Sequence, residues 1–166
     1  MASMNPLNAY FHAEKTESLA FVGAGVAGVI VAVLWWTQTT PIILWGAGWP
    51  LFCVGMFQLI VGSTVYLRTD GKVSTLQSLA KESPDAFRLE ELDRMHRVSQ
   101  NFIRIRWIEI SLFITSGIMI MMFFPLKGFW FGFAIALAFE SAISLTFDFF
   151  AEERADHYKD FVKRVG

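Results

Sequence analysis

Four apolar runs, each long enough to cross a bilayer as a helix, constrain this chain more than any other feature. They cover about 19–37, 41–67, 107–126 and 128–150. A membrane-spanning helix needs about 20 predominantly apolar residues, because every backbone polar group in hydrocarbon must be satisfied within its own segment. The expected fold is an all-α integral membrane protein of one domain, with four transmembrane helices in two hairpins. Spans 3 and 4 are extended as cytoplasmic helices, through a hydrophilic segment at about 72–106 and a tail at 151–166. The composition agrees, with 54% hydrophobic and 17% charged residues, which is apolar and charge-poor for a soluble domain.

Charge placement sets the expected orientation. Of fourteen Lys and Arg, Lys15 precedes span 1, eight lie between spans 2 and 3, four follow span 4, and Lys127 alone falls on the other side. By the positive-inside rule both termini and the long middle segment are cytoplasmic. Trp35, Trp36, Trp45, Trp49 and Trp130 then gather at the outer interface and Trp107 marks the inner one. The expected location is the bacterial inner membrane, multi-pass, with the bilayer itself as the first partner. A net charge of −1 gives no basis for nucleic-acid binding. The single cysteine, Cys53, excludes an internal disulfide and reads as an inert packed thiol.

Local signals refine this plan. Residues 1–18 lack the basic start and small-residue cleavage site of a signal peptide and read as a surface helix or a ragged lead-in. Gly23-Ala-Gly25-Val-Ala-Gly28 fits the spacing of a dinucleotide-binding turn, but such a turn needs a preceding strand and a helix start in water, and these residues lie inside an apolar run. Ala20, Ala24 and Gly28 instead repeat every four residues as a helix-packing face, and Gly48, Gly55 and Gly62 repeat every seven as a second one. Gln58 shares that second face and can hydrogen-bond across it. Pro50 is a candidate kink, Asp70-Gly71 reads as a break, and Ser83-Pro84-Asp85 as a helix start capped by a hydroxyl. One helix is then expected from about Pro84 through the third span, and the fourth is expected to reach about Lys163. On the first of these Leu92, Met95, Val98, Phe102 and Ile105 form an apolar stripe that would face a partner.

The polar residues inside the spans are the candidates for function. Glu140, Ser144 and Asp148 recur every four residues on span 4 and form a slowly drifting stripe. Counted from the turn at Lys127, Glu140 lies about 20 Å inward and Glu109 of span 3 about 27 Å inward. Together with Ser144 the three carboxylates could line an inward-open cleft, and Glu109 could equally pair with Arg106. Ionisable residues at such depth are rare and tend to mark pathways. Met119, Met121 and Met122 point in different directions on their helix and do not make a metal set, and the three histidines read as surface residues. No metal, no cofactor and no catalytic set is expected.

Asp93-Arg94-Met95-His96-Arg97-Val98-Ser99-Gln100-Asn101 resembles the acid-Arg-x-x-Arg-x-x-x-Asn signature of the membrane-associated proteins of eicosanoid and glutathione metabolism, which are also small four-span proteins. The resemblance implies glutathione binding at these nine residues. The family's motif follows the first span whereas this one follows the second, and Arg104 stands near where the family has a later Glu. A solvated, charge-laced helix accounts for the same residues.

Three functions are consistent with these features. The first is a non-enzymatic oligomeric assembly or accessory subunit that presents its cytoplasmic helices to a partner, either a cytoplasmic or a membrane protein. The second is an oligomeric cation or proton channel, or a small transporter, using Glu140, Glu109 and Gln58. The third is a membrane enzyme acting on a lipid or small thiol. The small helix surface that four spans bury among themselves favours a homo-oligomer.

Overall fold

The computed structural model describes residues 5–164, and these fold into four α-helices with no strand among them: α1 (Asn5–Thr37), α2 (Ile42–Glu82), α3 (Pro84–Phe123) and α4 (Phe129–Arg164). All four are long and apolar enough to cross a membrane. At 1.5 Å per residue they run to about 50–60 Å, well beyond a hydrocarbon core of about 30 Å. The helix starting at Pro84 and the one ending near Lys163 lie where the sequence places them.

The connections follow from local chemistry. Ser83 alone separates α2 from α3, in an extended conformation (φ −150°, ψ 92°). That is the geometry a following proline imposes on its neighbour. The Ser83 hydroxyl makes no capping bond; its backbone does the work, with its N–H donating to the Leu79 carbonyl at 2.9 Å and its carbonyl accepting from the Phe87 N–H at 3.0 Å. Between α3 and α4, Lys127 takes a left-handed conformation (φ 42°) and closes the turn.

The expected break at Asp70-Gly71 does not occur, and α2 also runs unbroken through Pro50. Glycine costs a helix about 1 kcal/mol relative to alanine, and here tertiary contacts outweigh it. Thr69 and Leu76 are buried on either side of Gly71, and Asp70 is held by Lys15 of α1 at 2.7 Å. Residues 5–18 are likewise not a ragged lead-in but the first turns of α1, with Leu7, Tyr10 and Phe11 buried. Residues 1–4 of that stretch lie outside the described residues. Cys53 is exposed on the outer side of α2 rather than packed inside.

Helices α1 and α2 run antiparallel along their length. Their contacts pass from Gln77 Nε2 donating to Asn8 Oδ1 (2.8 Å), through the Ser18–Gly62 and Gly25–Gly55 approaches, to Trp36 Nε1 donating to the Trp45 carbonyl (3.3 Å). α3 packs along α4, and α2 packs along α4, while α2–α3 and α1–α4 contacts are slight. The cross-section is therefore skewed, close along α1–α2 and α3–α4 and open between α1 and α4 and between α2 and α3, with α2–α4 as its short diagonal. Gly46 and Gly132 allow that approach: a Cβ on either would overlap the backbone of the opposite helix, at Phe129 or at Ile43.

The principal hydrophobic core lies at the end where both chain termini emerge. There Leu7, Tyr10, Phe11, Leu76, Phe87, Met95, Ala155, Tyr158 and Val162 form one cluster drawn from all four helices. At the opposite end, near the two turns, Trp36 packs with Trp45, Trp49 and Phe52, and Phe123 with Trp130.

Candidate functional site

Two concave regions carry polar residues in their linings, and they lie on different sides of α4. The first is a groove of about 540 Å³ between α1, α2 and α4. Small residues (Ala24, Ala27, Gly28, Ala47, Ala136) leave room at its floor, and Trp35 and Phe139 contribute aromatic walls. Glu140 is the one ionisable residue in its lining. Gln58, buried on α2, donates through Nε2 to Glu140 Oε2 at 3.4 Å. The other carboxylate oxygen faces Gly28 of α1, where an added Cβ would stand 3.9 Å from it.

The second is a larger cavity of about 920 Å³ towards the terminal end, bordered by all four helices. Its lining includes Phe21, Val65, Phe102 and Phe147 together with Arg68, Lys72, Arg94, Glu14 and Glu91. Glu91 is fully buried and is held in a two-pronged grip by Arg94, with Nε and Nη2 donating at 2.8 and 2.6 Å. Arg94 also lies over the Phe11 ring, 5.5 Å from its centroid. The backbones of α1 and α3 do not approach, so this side chain bridges them. Tyr10 stacks on Tyr158 at 4.2 Å. Burial pushes the Tyr158 hydroxyl upward in pKa, and the Glu91 carboxylate beside it adds to the effect. Burial likewise raises Glu14, against the pull of Arg94 and Lys72. Lys72 is lowered, first by burial and then by the positive charges of Arg68 and Arg94.

The acidic stripe of α4 does not open into one cleft. Each four-residue step turns a helix about 40° past a full circle, so Glu140 and Asp148 point about 80° apart. Glu140 reaches the groove beside α1 and α2, and Asp148 reaches the charged cavity. Ser144, half-buried between them, lines neither. Glu109 of α3 is buried and Asp148 of α4 is half-buried. One oxygen of each lacks a hydrogen-bond partner among the described residues. The Arg106 pairing expected for Glu109 goes instead to Glu152, one helix away.

Gly48, Gly55 and Gly62 of α2 meet α1 closely. A Cβ at Gly55 would stand 2.8 Å from the Gly25 carbonyl oxygen, one at Gly62 2.8 Å from that of Ser18, and one at Gly48 2.6 Å from the Trp36 ring nitrogen. On α1 the face that meets them is Ser18, Val22, Gly25 and Val29. Gly28 sits beside Leu51, Ala24 is half-buried at the groove, and Ala20 is exposed. The apolar stripe of α3 is turned inward: Met95 is fully buried, Leu92, Val98 and Phe102 pack against the core, and Ile105 is 41% exposed.

The residues resembling a glutathione signature are occupied locally. Arg94 serves Glu91, Arg97 pairs with Asp93 on the surface, and His96 lies 3.0 Å from Gln100. No group of three metal-ligating side chains converges among the described residues. The terminal-end network of Tyr10, Glu14, Glu91 and Tyr158 is absent from the sequence expectations. Its signal is present, since Leu7, Tyr10 and Phe11, like Ala155, Tyr158 and Val162, keep helical three-to-four spacing. No protein family, no curated protein and no solved structure matches this chain.

Proposed function

We propose that the chain is a non-enzymatic, oligomeric assembly or accessory subunit of the bacterial inner membrane. In this reading the helices form two hairpins, both termini are cytoplasmic, and the terminal halves of the helices stand in the cytoplasm. The one-sided distribution of Lys and Arg supports that orientation.

The observation that carries the reading is the outward face of α3. Along its apolar stretch Leu112, Phe113, Ile114, Ile118, Met121 and Met122 are all exposed, and 6% of that stretch is buried against 22% of the corresponding stretch in each of the other three helices. Ser111 and Thr115 lie on the same stretch and are exposed, with the Ser111 hydroxyl donating to its own helix at the Trp107 carbonyl. Beyond it, Leu89 and Ile103 are exposed on the face of α3 that the core does not use. An unpartnered helix surface of this extent suits a second copy or another membrane subunit.

The test is the mass of the full chain in nanodiscs, together with cross-linking of Ile114→Cys in a Cys53→Ser background. An oligomer that cross-links through position 114 in native membranes is the expected result. A monomer with no cross-link refutes the reading.

A cation or proton pathway is the second reading, favoured by the enclosed carboxylate oxygens of Glu109 and Asp148 that lack a partner among the described residues. It requires flux in liposomes that Glu109→Gln abolishes, and unchanged flux in that variant removes it.

A further inference from the structure

We propose that the groove between α1, α2 and α4 binds a lipophilic organic cation, with the Glu140 carboxylate as its counter-charge. The proposal stands on the groove alone and is independent of how copies of the chain assemble.

Size comes first. A volume of about 540 Å³ lies within the range of about 300–1,000 Å³ typical of small-molecule sites. Lining chemistry then narrows the ligand. The walls are apolar apart from one carboxyl group at the floor, on a residue 6% exposed. A carboxylate can accept about four hydrogen bonds, whereas Glu140 receives one long bond, from Gln58, at one oxygen. The second oxygen faces the space left by the missing side chain of Gly28. A cation seated there would meet the charge that the apolar walls leave unanswered.

The same walls select the kind of cation. Ca²⁺ and Mg²⁺ demand about six or more oxygen ligands, or retained waters, which this lining does not offer. An organic cation whose charge is spread under a hydrocarbon or aromatic shell loses little hydration on entry. It gains burial against Ile43, Leu51 and Ile143. The faces of Trp35 and Phe139 add cation–π attraction of about 0.5–2 kcal/mol where desolvated. The opposite charge in the same shape meets the Glu140 carboxylate as repulsion. A neutral acyl chain fits the walls but makes no use of the carboxylate.

Tetraphenylphosphonium and tetraphenylborate share a shape and differ in sign, so the pair isolates the contribution of charge. Binding of each to the purified full chain in nanodiscs is measured by equilibrium dialysis, with empty nanodiscs subtracted. The wild type is expected to bind the phosphonium saturably and at least about tenfold more tightly than the borate. Glu140→Gln is expected to lose about tenfold or more for the phosphonium and nothing for the borate. Ala27→Trp, at an exposed position of the groove lining, is expected to block both ions without touching Glu140. Equal binding of the two ions by wild type, or no saturable phosphonium binding at all, overturns the proposal. So does a well-folded Glu140→Gln variant with unchanged phosphonium affinity. If Glu140→Gln fails to fold, the wild-type ratio of the two ions and the Ala27→Trp result still decide the matter.

Discussion

The two halves of this molecule are built by different rules. Near the turns the helices meet backbone to backbone: Gly46 and Gly132 let α2 and α4 touch, and Gly25 and Gly55 do the same for α1 and α2. Few large side chains are buried there, and the exposed ones are Ile, Leu, Phe, Met and Trp. Near the termini the contacts are made by large side chains, with Phe11, Phe87 and Met95 almost wholly enclosed and a fully buried Glu91 paired to Arg94 among them. The difference matches what two solvents demand. In hydrocarbon there is no gain from hiding a leucine from lipid, so association depends on close approach and small residues. In water, burial of apolar area provides the driving force, at roughly 25 cal/mol per Å².

If the halves obey different rules, substitutions should affect them differently. The largest effects belong to the terminal half. Arg94→Ala strips the partner from the fully buried Glu91 carboxylate and should cost about 3–5 kcal/mol. Phe11→Ala opens a cavity in the same core and should cost a similar amount, about 3–5 kcal/mol. The exposed pair nearby is the control: Arg97→Ala should cost less than about 1 kcal/mol. Thermal unfolding of the purified protein followed by circular dichroism measures all three, and equal losses at Arg94 and Arg97 would show that the buried pair is not structural.

The turn half should respond to a single methyl group. Gly46→Ala and Gly132→Ala each force α2 and α4 apart and should cost about 1–3 kcal/mol or more. Gly71 has nothing within 4 Å of an added Cβ, so Gly71→Ala should instead stabilise α2, by up to about 1 kcal/mol. The same melting assay separates them by sign, and a neutral Gly132→Ala would remove the close diagonal from the account.

The smallest effect is a pH dependence in the terminal half. Burial holds the Glu14 pKa above its ordinary value, so the folded state binds its proton more tightly than the unfolded chain does. The contribution of Glu14 is therefore most favourable below the ordinary carboxylate range and is lost as pH rises through its raised folded value. Glu14→Gln should be more stable than wild type at neutral pH, with the advantage vanishing in acid. A constant difference across that range would mean that the Glu14 carboxyl is not desolvated.

Sequence alone made most of the helical plan legible, because long apolar runs and one-sided charge are strong signals. The breaks it suggested were weaker. Asp70-Gly71 has turn chemistry, but the Lys15–Asp70 pair and the burial of Thr69 and Leu76 hold the helix through it. Gln58 was legible as a bridging residue through its place among the glycines, and its partner is Glu140. The rest of the acidic stripe was harder to read. Periodicity places residues on one helix face but does not tell which neighbour each part of a drifting face will meet, so Glu140 and Asp148 diverge. The stripe from Leu92 to Phe102 reads as available for a partner when taken alone, and the apolar residues Leu7, Tyr10 and Phe11 of α1 join it in one cluster.

The proposed division into a membrane half and a water half is tested most directly by sidedness. Leu89→Cys and Leu126→Cys, each in a Cys53→Ser background, place a thiol at exposed positions near opposite ends of α3. A membrane-impermeant maleimide is applied to intact spheroplasts and to inverted membrane vesicles. The account predicts that position 126 is modified only in spheroplasts and position 89 only in inverted vesicles. Modification of both positions from the same side would contradict it.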